Sequence, residues 1–186
     1  MGLDMYLHRK TYVQNWEHTK PENRHEITIK RGGKVRDDIK PARIAFIVEQ
    51  VAYWSKANAI HQWMVDNVQG GKDDCGEYYV SSEKLSELAG LCREVLRNIE
   101  LVHDRVCVGT QYSPEHPEGV RLMEDGEVLS SSAAAIAHAM LPTASGFFFG
   151  STEYDEGYVY QLRQTIEQIE PLLADDDASY YYHSSW

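Results

Sequence analysis

Residues 54–81 read WSKANAIHQWMVDNVQGGKDDCGEYYVS, and the arrangement of the rest of the chain turns on this stretch. At 100° per residue, Tyr53, Ala57, Ile60, Met64 and Val68 fall on one stripe with Trp54 and Val65 beside it, which predicts an amphipathic helix. His61 lies inside that apolar arc, while Ser55, Gln62, Asp66 and Gln69 take the wet side. Trp63 stands apart from the main stripe, flanked one turn away by Lys56 and Asn67. Gly70-Gly71 ends the helix, because glycine accepts the left-handed conformation that a helix C-terminus needs. Residues 72–76 then predict a tight turn, and Glu77-Tyr78-Tyr79-Val80 a short strand.

Three uses of this polar and aromatic mixture are open. The first is binding. The helix end, the acidic turn and the strand start lie close together in any fold, so they can line a ligand site. There Trp54, Trp63, Tyr78 or Tyr154 would stack a planar ring, worth about 1–3 kcal/mol each. Lys56 would meet a phosphate, and Asn58, Asn67 and Asp74 would read polar edges. His61, Cys75, Glu77 and Ser151 complete the candidate set. The second is catalysis, as a hydrolase or transferase. His61 would act as general base, oriented by Asp66 or Asp74, with Cys75 or a water as nucleophile. No triad signature surrounds them, and His61 and Asp66 stand about 140° apart on one helix. His61, Asp73, Asp74 and Glu77 lack any recognised ligand spacing, so neither a metal nor a cofactor is expected. The third use is a structural or protein-interaction role. A lone histidine on an apolar face is commonly a hydrogen-bonded core residue, tryptophans pack, and aspartates favour turns.

Composition narrows the class. The chain has 186 residues, 42% of them hydrophobic, with four Trp and twelve Tyr, which predicts one folded domain with a real core. No run of 18 apolar residues occurs, so no membrane span is expected. The opening MGLDMYLHRK lacks the hydrophobic segment of a secretion signal and has no Ser or Thr at position 6 for myristoylation, which makes cytoplasm the expected location. Cys75, Cys92 and Cys107 are odd in number without a C-x-x-C spacing, fitting reduced thiols. Charge is uneven: residues 1–43 carry ten Lys/Arg against six Asp/Glu, and residues 44–186 carry eight against twenty-three. So acidic a body argues against duplex nucleic acid and anionic membrane as partners. A small-molecule ligand or another protein is left, with a homo-oligomer open.

Outward from the central stretch, residues 1–13 alternate as a first strand and residues 25–30 as a second. Arg31-Gly32-Gly33-Lys34 turns into a short partner strand around Val35. Pro41 suits a helix first turn, and a helix is predicted over 41–68. Its first half buries Ile44, Ile47, Val48 and Val51, a face about 130° from the stripe of its second half, so a break near Trp54-Ser55 or a helix wedged between layers is expected. Ser81-Ser82-Glu83 opens a helix with core positions Leu85, Leu88, Cys92, Val95, Leu96 and Ile99. Residues 103–132 predict an inserted excursion, with strand at Val106-Cys107-Val108 and a hairpin about Asp125-Gly126. A short helix follows over 133–141. Phe147, Phe148 and Phe149 between glycines predict a strand buried on both faces. Thr152 and Asp155 open a last helix that runs to Pro171, Asp175-Asp176-Asp177 is a solvated linker, and residues 179–186 form a final aromatic strand. Strands and helices mix without strict βαβ repetition. The expected fold is therefore α+β: a single domain over 1–186 whose mixed sheet is packed by three to four helices.

Several stretches together resemble a family of uncharacterised small proteins encoded by bacteriophages and prophages. They are MGLDMYL at 1–7, KANAIHQWMVDNVQGGKDDCGEYYVS at 56–81, LPTASGFFFGSTEYDE at 141–156 and the closing Ser184-Ser185-Trp186. The 103–132 excursion is atypical of that family. The resemblance supplies no catalytic residue. What it implies is context: a cytosolic accessory protein of an infected or lysogenic bacterium, acting by binding a host protein or a nucleotide-like small molecule in host takeover or counter-defence.

Overall fold

Alternation along the first strand sets the architecture. In β1 (Asp4–Tyr12), Met5 and Leu7 point inward and are fully buried, while Tyr6 and His8 point outward. The computed structural model describes residues 2–146, 149–175 and 178–186. After β1 come a two-residue hairpin, β2 (Lys30–Arg31) and β3 (Lys34–Val35), then β4 (Phe46–Ser55), α1 (Asn58–Asn67), β5 (Tyr78–Val80) and α2 (Ser82–Arg97). β6 (Leu101–Ser113) and β7 (His116–Leu129) form a long ribbon, and α3 (Ser131–Met140), α4 (Glu156–Ile169) and β8 (Ser179–Ser185) complete the chain. The main sheet runs in the order β4-β1-β8-β5, and every pairing in it is antiparallel. The α+β class holds, but the sheet is antiparallel where a mixed one was expected. One face of this sheet presents Met5, Leu7, Trp54, Val80, Tyr180 and Tyr182 to a core shared with Leu85, Leu88, Cys92, Tyr158 and Leu162. The other face carries an aromatic band in which Tyr6 stacks on His183 at 4.8 Å and Tyr79 meets Tyr181 edge-on at 5.9 Å.

The helix expected over 41–68 is two elements. Pro41–Arg43 is a single 3-10 turn, Phe46–Ser55 is strand β4 paired to β1, and the α-helix begins only at Asn58. Phe46, Ile47, Val48, Val51 and Tyr53 are β-branched or aromatic, and a free edge of β1 offered them ladder hydrogen bonds. The conflict between two helical faces was the mark of a change of period. Lys56, at φ 57°, makes the corner between strand and helix.

Other differences are local. The strand expected at 25–30 shrinks to Lys30–Arg31, although Gly32 and Gly33, at φ 56° and 78°, make the predicted turn. The β6–β7 ribbon turns between Ser113 and His116, not at Asp125-Gly126, which lie mid-strand opposite Arg105 and Asp104. Gly126 serves close packing there: a Cβ on it would stand 2.6 Å from a Val106 methyl. Of the strand expected at 147–149, Phe147 and Phe148 lie outside the described residues, and Phe149 is buried without strand pairing. In the acidic linker, Asp176 and Asp177 also lie outside them, while Asp175 pairs with Arg9 at 2.7 Å. The remaining elements stand where the sequence placed them. Ser81 caps α2 and Asp155 caps α4, each accepting a backbone N–H of the first turn.

Candidate functional site

The polar chemistry of the central stretch gathers in two places on α1. At one, His61 sits in a row of hydrogen bonds. Its ring is 1% exposed, with Nδ1 2.7 Å from Tyr182 Oη and Nε2 3.1 Å from Asp73 Oδ2. Asp73 Oδ1 in turn accepts the indole N–H of Trp186 at 3.1 Å. A carboxylate only accepts, so Nε2 carries a proton, and in a neutral ring Nδ1 accepts from the tyrosine hydroxyl. Burial drives the Tyr182 phenol well above its ordinary pKa, and the charge of Asp73 adds to the effect. The phenol therefore stays a donor. Phe149 stands edge-on to the imidazole at 5.3 Å, and Trp186 lies 6.1 Å beyond it. His61 and Tyr182 are buried, while Asp73 and Trp186 at the outer end of the row are exposed.

Asn58 closes the start of the same helix. Its side chain does not cap α1. Nδ2 donates to the carbonyls of Phe149 at 3.1 Å and Ser151 at 2.8 Å, and Oδ1 accepts the Ala144 N–H at 3.1 Å. One buried amide thus clips the loop before α4 onto α1. Gly150 lets the loop pass, since at φ 91° its position for a Cβ is 2.9 Å from Lys56 Cβ.

The predicted set therefore disperses. Trp54 is fully buried and donates to Thr165 Oγ1 at 3.0 Å, so it has no face for a ligand. Lys56 is exposed at the corner, and Ser151 gives its carbonyl to Asn58 and its hydroxyl to the Glu153 N–H. Asp74 pairs with Lys72 at 2.5 Å and accepts from the Gly76 N–H and the Tyr78 hydroxyl. The Lys72 ammonium, first among these, holds the Asp74 carboxyl below its ordinary pKa, and the bond to Asp74 raises the Tyr78 phenol. Glu77 pairs with Lys10. Cys75 is exposed, in the left-handed region at φ 55°. Tyr154 is half-buried beside His138, 3.1 Å from its Nδ1. His61 and Asp66 do not meet; Asp66 instead accepts the Gln62 amide at 3.0 Å.

Trp63 and Asn67 do come together, at the second place. With Gln62 and Asp66 they form one wall of an open cavity of about 260 Å³, whose other wall is Leu91 of α2 and the Met140-Leu141-Pro142 end of α3. Lys84 holds its ammonium 5.8 Å from the Trp63 ring centre and pairs with Glu87 at 2.7 Å. A larger hollow of about 380 Å³ beside Arg9 and Lys10 has both cations already paired, to Asp175 and Glu77.

Sequence reasoning missed Tyr182, Trp186 and Thr165 as partners of the stretch. They lie more than 100 residues away in sequence, and only the antiparallel β8 beside β1 brings the first two in. Among the described residues no three His, Cys, Asp or Glu side chains group as a metal site, and no helix is long and apolar enough to cross a membrane. Compared with protein-family models, with curated proteins and with solved structures, the chain matches none.

Proposed function

We propose that this protein acts by binding a small molecule in the cavity between α1, α2 and the end of α3, without catalysing a reaction. The observation that carries this is a contrast on one helix. His61, the natural general base, is buried and committed to Tyr182 and Asp73, whereas the largely buried Trp63 and the exposed Asn67 line an open cavity. A cavity of about 260 Å³ suits a metabolite and falls just below the range of drug-sized sites. No Lys or Arg lines it, so a nucleotide phosphate has no partner there. Joined to the resemblance to phage and prophage proteins, this reading makes the chain a cytoplasmic accessory protein that sequesters a host small molecule during infection.

The test is thermal unfolding against a panel of metabolite-sized molecules, with Leu91→Trp as the blocked control. Leu91 is half-buried at the cavity wall, and a tryptophan there fills it. Stabilisation of the parent protein that disappears in Leu91→Trp supports the reading. No stabilisation at millimolar ligand, or stabilisation that survives the block, removes it.

A second reading, capture of a host protein, rests on the outer half of β4. Phe46, Ile47 and Val48 there are 53%, 42% and 52% exposed on an edge strand, the geometry that accepts an added strand. A Val48→Lys variant that abolishes co-purification of a host protein would favour it over the cavity.

A further inference from the structure

Resting on the reading that this cavity binds a small molecule, we infer that its ligand is an organic cation: a primary ammonium or guanidinium on a short apolar body. Three features of the lining converge. First, Asp66 brings a carboxylate to the wall, and among the described residues it forms no ion pair; its one protein partner is the neutral Gln62 amide. Second, two helices end at the cavity. Asp66 and Asn67 belong to the last turn of α1, and Met140 and Leu141 to the last residue and C-cap of α3. Both helices present the negative end of the macrodipole, where cations are favoured. Third, the polar side chains on the wall are amides and a carboxylate. Gln62 and Asn67 offer carbonyl oxygens to N–H donors, and the Asn67 amide nitrogen is already spent on the Trp63 carbonyl at 2.9 Å. An anion would find these acceptors and one negative charge. A neutral apolar molecule would make no use of the carboxylate, which is exposed and carries its own charge to the cavity rim.

The apolar part of the lining sets the rest of the ligand. Trp63, Leu91 and Met140 are apolar, so the cation needs a short hydrocarbon or aromatic body to cover them. Lys84, the cation nearest to Trp63, is held by Glu87 and does not line the cavity. The acidic body of the chain, net −11 overall, adds long-range attraction for a positive ligand at low salt.

Three probes of one shape separate the possibilities: phenethylammonium, 2-phenylethanol and 3-phenylpropionate. Each is titrated into ¹⁵N-labelled protein, and the Trp63 indole and Asn67 side-chain resonances are followed, for the parent and for Asp66→Asn. Asp66 is exposed, so the variant keeps the fold, which its overlaid spectrum verifies. The expected result is that the ammonium binds about tenfold more tightly than the alcohol, the gap between a charge-assisted and a neutral hydrogen bond. In Asp66→Asn that gap closes. Equal binding of ammonium and alcohol, tightest binding of the carboxylate, or a gap that survives in Asp66→Asn overturns the cation assignment and leaves cavity binding standing. If no probe moves either resonance while the other amides also stay still, the cavity reading fails with it.

Discussion

At the scale of single residues, the buried polar groups do more to hold this structure than to do chemistry. Asn58 ties two carbonyls and one N–H of the loop before α4 to α1. Asn58→Asp keeps the shape but turns a donor toward those two carbonyls into an acceptor. Leaving them unpaired, at about 1–3 kcal/mol each, costs on the order of 2–6 kcal/mol. Thermal unfolding followed by circular dichroism is expected to fall by roughly 5–15 °C. A fall of under about 1 °C would mean that water reaches the carbonyls and that the clip is ornamental. The buried acids make a second prediction. Burial pushes the Cys92 thiol from 9.0 up to about 12, and burial likewise raises Tyr158 and Tyr182. Unfolding lets all three lose protons at ordinary values. Their contribution is therefore whole below about pH 9 and is lost as pH rises toward 12; the thiol alone accounts for at most about 4 kcal/mol. Urea midpoints measured between pH 7 and 11 should be flat and then drop, and Cys92→Ala should soften the drop. A midpoint unchanged to pH 11 would contradict the burial of these groups.

At the scale of elements, α4 guards an edge. Gln168 accepts the Tyr53 N–H at 2.7 Å, Gln164 donates to the Tyr53 carbonyl at 3.4 Å, and Gln161 donates to the Lys56 carbonyl at 3.2 Å. Their spacing of three and four places them on one helix face, so a row of side-chain amides occupies positions a neighbouring strand would take. Gln168→Ala should speed hydrogen exchange of the Tyr53 amide about fivefold, a local cost near 1 kcal/mol. The Trp54 amide, which faces β1, should not change. Equal acceleration at both would show that β4 opens as a unit and that the glutamine is incidental. This edge also shows where the sequence was legible. α2 and α4 were readable because an N-cap precedes an apolar stripe in each, and β8 because an aromatic run follows an acidic linker. β4 was not, since Ile44, Ile47, Val48 and Val51 satisfy a helical period over so short a run, and only the partner strand 40 residues earlier decides between them. The candidate site failed for a related reason. Position on a helical wheel says that Trp54, Asn58 and His61 are near one another in angle, but not that Thr165, Phe149 and Tyr182 arrive to use their polar atoms. Trp63 and Asn67, which stood off the main stripe, do line one cavity together.

At the scale of the whole molecule, the β6–β7 ribbon is the element whose removal tests how the chain is divided. Among the described residues, Leu101 and Leu129 are what the ribbon gives to the hydrophobic cluster, and both lie at its root. That root is fastened by backbone bonds from the Leu129 N–H to the Tyr154 carbonyl at 2.8 Å and from the Ser130 N–H to the Glu100 carbonyl at 2.7 Å. Further out, the exposed Arg121–Glu153 pair joins ribbon to body, a kind of contact worth about 0–1 kcal/mol. Val108, Tyr112, Val120 and Leu122 are exposed along it, and a two-stranded ribbon gains little stability by itself. His103 and Glu127 are cross-strand partners, so residues 104–126 can be replaced by Asn-Gly, whose turn matches the twist of paired strands. The shortened chain should unfold cooperatively with its midpoint changed by no more than about 5 °C, since little apolar area is removed from the core. Its His61 and Trp63 resonances should overlay those of the parent, because the hydrogen-bond partners of His61 and the residues that share the Trp63 cavity lie outside the deleted segment. A collapse of the midpoint, or loss of a single transition, would instead show that the exposed valines and leucine of the ribbon are held against something the isolated chain needs, and the division into body and insertion would have to be withdrawn.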